Sequence, residues 1–590
     1  MSIAFQNYFM NVAPSLANKI PVTDKEYLSY MPKIDKDIEE LDLERGVSPI
    51  SIDLIIRSMK SKSSFSWDHM SNKMLKICRE PLLKPLAHLC SLSLRLGYMP
   101  PEWKRAKIIP IFKKGDREEA SNYRSISLLS TFSKVIEKVV SNRIYAHFNK
   151  WNLFTPLQFG FRSRSNCENL LIKFTSYIAE AKNNNESALA ILVDFAKAFD
   201  TVCFDILIKK LKYYKVPTKW IESYLKGRTQ FVQIGNETSK HDIITCGVPQ
   251  GSILSALLFL IYVNCLPNSC DLTAILFADD TTLLMKGKDI NVLFTIANLQ
   301  LKSFEQWCYC NRLSLAPSKT RFLIFSNSKI DSTPDLYLMN QQVKRVHENG
   351  DEKSFKLVGV QIQEDMSWKL HAEYIRKKVL GILFMMKNSK HMIPARVKKM
   401  LFSSLVQSVI HYALPIWGGA SKQIIDPLVR IEKRAIRLAN NAHYIKHTDP
   451  MFGALGVLKL TDMYKTLCAR TAVKFLHNTL PEGNMDCFKE RMIVRNIRSL
   501  NNIREICIPK DKSGKTHRLC TFQIPTIWNK NVPFDIKNFE ELSFVATYKK
   551  IFIDEYNLFT CTKEECYSCN MVRNNPLNIH KIGLAPCPAS

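Results

Sequence analysis

Three aspartates carry the clearest chemical signal in this sequence. Asp194 ends the apolar run ALAILVDF, and Asp279 with Asp280 sits between the two apolar halves of LTAILFADDTTLLMKG. Each acid follows a run too apolar for a surface strand, so both segments are expected in a buried sheet. The second passage reads as a hairpin with its carboxylate pair at the turn. Three carboxylates gathered at a strand edge repel one another unless cations lie between them. Hard divalent ions suit such oxygen ligands, and Mg²⁺ keeps waters and takes further ligands from a triphosphate. Two such ions about 3.5–4 Å apart activate an attacking 3′-hydroxyl and stabilise a leaving pyrophosphate. Either acidic segment alone is the ordinary mark of a solvated turn. The coupling of the two points to a site.

The elements that must hold these acids follow from periodicity. Asp200 reads as the N-cap of a helix with Ile206, Leu207, Leu211 and Tyr214 on one face. LLKPLAHLCSLSLRLG reads as a helix stopping at Gly97 and Pro100. Residues 1–50 carry a short amphipathic pattern (Phe5, Phe9, Val12) and then an acidic, Pro-punctuated connector. FKLVGVQI reads as one later strand. Beyond Trp368 the spacing turns mainly helical, as in KKMLFSSLVQSVIHYALPIW and PLVRIEKRAIRLANN, and after Pro481 the signal weakens.

The chain has 590 residues, with 83 Lys+Arg against 54 Asp+Glu and a formal charge of +29. That length calls for several domains or lobes. The charge, spread along the chain, calls for a large polyanion in a positively lined channel. Its 17 cysteines lack a small-domain disulfide pattern, and the N-terminus lacks the features of a secretion signal, so an intracellular location, cytoplasmic or nuclear, is expected. The most apolar run, Ile253 to Val263, is shorter than the about 20 residues a bilayer requires, so no membrane segment is expected. Cys561, Cys566, Cys569 and His580 have the residue types of a zinc knuckle without its spacing, and free cysteines are the favoured reading. His411 and His443 show no ligand partners.

VDFAKAFDTV (193–202), GVPQGSILSALLFLIYVN (247–264), ILFADDTTLL (275–284) and LAPSKTRFLIF (315–325) resemble, in order, the palm motifs of reverse transcriptases. IIPIFKKGDREEASNYRSISLLSTFSKVIEKVVSNRI (108–144) and LQFGFR (157–162) resemble the fingers of non-LTR, LINE-type enzymes, and FKLVGVQI resembles the strand that grips the primer. An ordered set of six motifs is far more specific than any one. The segment FQNYFMNVAPSLANKIP resembles the linker that follows an apurinic-type endonuclease, which implies a chain lacking that N-terminal endonuclease, with no DNA nicking expected. RIEKRAIRLANNAHYIKHTDPMFGALGVLKL resembles the helical part after the thumb of jockey-like elements.

The resemblance implies an α+β right-hand polymerase: fingers, a palm with an antiparallel sheet, a helical thumb, and a mainly helical C-terminal region. The expected divisions are a connector at 1–50, fingers and palm at 51–362 with the core motifs at 92–362, a helical thumb or connection at 363–481, and a basic C-terminal region with a Cys-rich tail at 482–590. It implies Asp194, Asp279 and Asp280 as ligands of two Mg²⁺ ions, or Mn²⁺ in their place, with the Phe195 carbonyl as an auxiliary ligand. Phe199 becomes the aromatic gate against a ribose 2′-hydroxyl. Lys113 and Arg124 contact the incoming triphosphate, Gln250 and Gly251 lie against the nascent pair, and Lys319 donates a proton to pyrophosphate. The implied partners are an RNA template, a DNA primer or target DNA, and deoxynucleoside triphosphates. The rival expectations are a catalytically silent nucleic-acid-binding remnant of a retrotransposon, and another palm polymerase, either an intron maturase or an RNA-dependent RNA polymerase.

Overall fold

A computed structural model describes residues 1–558 apart from 35–36, 390, 494–502 and 512–515; the Cys561, Cys566, Cys569 and His580 group lies outside the described residues. The chain opens with α1 (Ser2–Ala17), which buries Phe5. Helix α2 (Arg79–Leu96) ends where Gly97 adopts φ +64°, the left-handed conformation that closes a helix without a Cβ penalty. Strand β1 (Arg105–Phe112) pairs antiparallel with β2 (Tyr123–Leu129). Helices α3 (Thr131–Lys150) and α4 (Cys167–Asn183) lead to β3 (Ser187–Val193).

After α5 (Phe204–Tyr213), strand β4 (Thr229–Ile234) returns to pair parallel with β1, completing with two short strands a first sheet. Next come α6 (Ile253–Val263), β5 (Thr273–Phe277), β6 (Asp280–Gly287), α7 (Ile290–Cys310), β7 (Arg321–Phe325) and β8 (Lys344–Arg345). The second sheet runs β8-β7-β3-β6-β5 and is antiparallel except where β8 meets β7.

All seven residues of β3 are buried. Leu189, Ile191 and Val193 enter one hydrophobic core, and Ala188, Ala190 and Leu192 enter a second. A strand covered on both faces has no solvent side to be polar on, which is why its sequence reads as a continuous apolar run. The second core extends through α8 (Lys369–Asn388), α9 (Lys422–Ala439), α10 (Leu460–Leu476), α11 (Cys520–Asn531) and α12 (Glu541–Asn557). Among the described residues no helix is long and apolar enough to cross a membrane.

Two local expectations are corrected, and a third element shows detail that the spacing did not carry. Asp200 does not cap α5: that helix begins at Phe204 after Cys203, with no side-chain cap, and Asp200 is engaged with Gln250. FKLVGVQI is two strands, Phe355–Leu357 and Val360–Ile362, because Val358 (φ +35°) and Gly359 (φ +94°) turn the chain back on itself. The helical passage after Ala395 is interrupted, with a π-helical stretch at Phe402–Gln407 and a break before Leu414–Trp417.

Candidate active site

Strand register brings the distant acids together. Val193 of β3 pairs with Thr281 of β6, and Phe277 of β5 pairs with Asp280. One further step along the β3–β6 ladder sets Asp194 across from Asp280, while Ala278 and Asp279 form the turn between β5 and β6. Ala278 takes φ +58°, as the first central residue of a primed hairpin turn must. Asp194 is tied on its other side, where its carbonyl accepts the Ala316 N–H at 2.8 Å. The Ala196 N–H donates to the Ser314 carbonyl at 2.8 Å, and Phe195 bridges Leu315 between these two bonds. In such a bridge the Phe195 carbonyl points away from Leu315.

Water reaches all three carboxylates, but protein flanks the 279–280 turn closely enough for burial to dominate the electrostatics. Burial, then Asp279, then Asp194 push the Asp280 carboxyl up to about 6 from its ordinary 3.8. Asp279 is also raised, by burial first and by Asp194 among its neighbours. Lys113 and Arg124 oppose both shifts. Burial and the nearby charges of Arg124 and Lys319 hold the Lys113 ammonium below its ordinary value. Cations set beside carboxylates can receive a polyanion that a metal ion bridges to the acids.

The donor set fits hard divalent ions: three carboxylates, of which Asp194 raises the proton affinity of Asp279 and both raise that of Asp280, with a backbone carbonyl beside them. Among the described residues no three His, Cys, Asp or Glu side chains stand at metal-holding distances, these three acids included. Mg²⁺ is commonly held by one or two carboxylates and completes its shell with water and substrate oxygens.

Residues 111–362 match the family described as reverse transcriptase (RNA-dependent DNA polymerase). This segment belongs to the reverse transcriptase family. Its fold is therefore that of the palm-type polymerases. The chain is 28% identical over 444 residues to a probable RNA-directed DNA polymerase from transposon BS of Drosophila melanogaster, covering 70% of this chain and 47% of that protein. It is 25% identical over 431 residues to the RNA-directed DNA polymerase from the mobile element jockey of the same species, covering 70% and 46%. A putative 115 kDa protein in the type-1 retrotransposable element R1DM is 25% identical over 386 residues, covering 63% and 36%. The chain thus spans less than half the length of each of these relatives.

In the reverse transcriptase segment, Lys113 and Arg124 lie at the end of the β1–β2 ladder, where Ile111 faces Arg124 and the Lys113 N–H donates to the Asn122 carbonyl at 2.9 Å. Lys319 is exposed within the 316–320 turn. Phe199 is half-buried with its ring stacked on Phe259, centroids 4.4 Å apart. The Gln250 amide is not free in the cleft: its Nε2 donates to Asp200 Oδ1 at 3.1 Å, and its carbonyl accepts the Ser127 N–H at 2.8 Å. Gly251 takes φ +131°, and a Cβ there would overlap the Ser127 carbonyl. The 249–251 turn is therefore pressed onto β2, which only glycine permits.

Sequence reading missed several residues of this neighbourhood. Glu137, fully buried on α3, accepts the Ser252 hydroxyl at 2.8 Å and the Ile253 N–H at 2.9 Å, so it fixes the start of α6 and the turn before it. Its signal was an acid amid Val135, Ile136, Val139 and Val140. Lys197 is held below its ordinary value by burial, with Asp200 opposing and Lys319 and Arg124 adding to the shift. Its ammonium lies over the Tyr8 ring of α1 at 5.4 Å. Gln158, discussed below, had no sequence signal of its own beyond its place in LQFGFR.

Proposed function

We propose that this chain is an RNA-directed DNA polymerase of a non-LTR retrotransposon, extending a DNA 3′ end on an RNA template and releasing pyrophosphate. The observation that carries the reading is the register that sets Asp194 opposite Asp280 with Asp279 in the adjoining turn. Asp194, Asp279, Asp280 and the Phe195 carbonyl hold the two divalent ions, Mg²⁺ or Mn²⁺. Bound there, such ions polarise a phosphoryl oxygen and lower the proton affinity of an attacking hydroxyl. Lys113, as a point charge, and Arg124, as a fork, receive the triphosphate.

Lys319 donates a proton to the departing pyrophosphate. Phe199, backed by Phe259, forms a rigid wall beneath the sugar and excludes the ribose 2′-hydroxyl. The Gly251 turn lets backbone lie close to the nascent pair. In this reading residues 51–362 are fingers and palm, 363–481 the thumb and 482–590 a nucleic-acid-binding region.

Primer extension on poly(rA)/oligo(dT) with Mg²⁺ tests the reading. Wild type should incorporate deoxythymidine, and Asp279→Ala and Asp280→Ala should each lose on the order of a hundredfold or more. Equal incorporation by all three would remove the catalytic claim and leave a silent nucleic-acid-binding remnant.

A further inference from the structure

The turn that carries Asp279 is gripped by a side chain outside the acidic motifs. Gln158 forms an isolated parallel bridge to Leu276 of β5: the Phe159 N–H donates to the Leu276 carbonyl at 2.8 Å, and the Leu276 N–H donates to the Leu157 carbonyl at 2.9 Å. Gln158, only 3% exposed, extends its Oε1 to two backbone donors, the Ala278 N–H at 3.0 Å and the Gly160 N–H at 2.8 Å. Two N–H groups converging on one atom require it to be the oxygen, which fixes the orientation of the amide. Gly160 then lies so near that a Cβ on it would overlap the Ala278 nitrogen.

The Ala278 N–H immediately precedes Asp279, and Ala278 is the residue held at φ +58°. A non-glycine residue in that conformation persists only where its surroundings over-determine it. Here the determinants are one hydrogen bond from above and the ladder of β5 below. The cost of the arrangement is visible in the same side chain: Gln158 Nε2 is buried with no hydrogen-bond partner. A residue kept only to fill space would be apolar at this place, because an unpaired buried donor is unfavourable. The oxygen is what the position uses.

We propose that Gln158 is a positioning residue that sets the height and direction of the Asp279–Asp280 carboxylates by clamping the Ala278 amide, with Gly160 leaving the room for the clamp. The proposal rests on the polymerase reading for its kinetic readout, but not for its geometry. An acceptor lost here frees the turn to shift, and displacements of about 1 Å at a reacting centre are felt strongly.

The full chain is compared with Gln158→Leu and Gly160→Ala in Mg²⁺-dependent primer extension, recording kcat, KM for primer–template, half-saturating Mg²⁺ and thermal unfolding. Both variants should lower kcat on the order of tenfold or more and raise half-saturating Mg²⁺ several-fold, with KM for primer–template within about twofold of wild type. A Gln158→Leu enzyme that merely unfolds earlier, with kcat and Mg²⁺ dependence unchanged, would overturn the proposal. If Gln158→Leu does not fold, unchanged kinetics in Gly160→Ala overturns it equally. An inactive wild type would count against the polymerase reading alone. Calorimetric Mg²⁺ binding would then decide the clamp, weaker binding in the variants supporting it and equal binding refuting it.

Discussion

At the scale of single residues the site is a balance between like charges and the cations facing them. Asp280 is the sharpest case, since its carboxyl is pushed up to about 6 by burial and by its two acidic neighbours. Its folded-state value exceeds that of the unfolded chain, so the folded protein binds the proton more tightly. In the metal-free protein Asp280 therefore supports stability at low pH, and that support is lost as pH rises from about 4 to about 6. Metal competes for the same oxygens, so half-saturating Mg²⁺ in primer extension should rise as pH is lowered from about 7 to about 5. A flat Mg²⁺ requirement across that range would show that Asp280 ionises normally. Phe199 offers an independent test, because its ring is anchored on Phe259. Phe199→Val should raise ribonucleotide incorporation relative to deoxynucleotide by about tenfold or more, measured as a ratio of kcat/KM values. Unchanged selectivity would place the gate elsewhere.

At the scale of elements, the site depends on contacts between segments that lie far apart in the chain. Glu137 joins α3 to the start of α6 through Ser252 and Ile253, and Ser133 donates to its Oε1 at 3.0 Å. Glu137→Ala strands buried donors and opens a cavity. It should cost on the order of 2–4 kcal/mol, read from denaturant unfolding, and Glu137→Gln should cost less because it keeps an acceptor. The 249–251 turn pressed onto β2 is less forgiving. Gly251→Ala would force Cβ into the Ser127 carbonyl from a left-handed φ, and primer extension should fall by an order of magnitude or more while the fold survives. What the sequence revealed at this scale was whole elements: the β5–β6 hairpin, the β3 run and α2 with its Gly97 stop. Asp200 was misread because an acid ahead of an apolar helix looks like a cap, and only packing showed it spent on Gln250. FKLVGVQI was misread because Val358, unlike Gly359, carries no turn signal.

For the whole molecule, two features govern behaviour. The +29 charge makes the proposed binding of nucleic acid a matter of counterion release. If about six or more phosphates are contacted, affinity for an RNA–DNA duplex should fall by roughly a thousandfold between about 50 and about 200 mM salt; a shallow slope would mean few phosphate contacts. The second hydrophobic core gathers β3, α4 and α8 with the late helices α11 and α12, and Thr175 of α4 meets Cys520 of α11 at 3.1 Å. The sequence by itself marked the buried strands and the acids at their ends, because strands covered on both faces must be apolar throughout and the carboxylates stand out against that background; the palm-type fold came from the resemblance of its ordered motifs to a known family. The sequence also determined the charge that selects a polyanion. Only the tertiary structure decided which buried side chains tie together the segments around those acids. Gln158, Glu137 and Lys197 act on partners scores of residues away or across a sheet, and no local spacing encodes which backbone amide a buried side chain will meet.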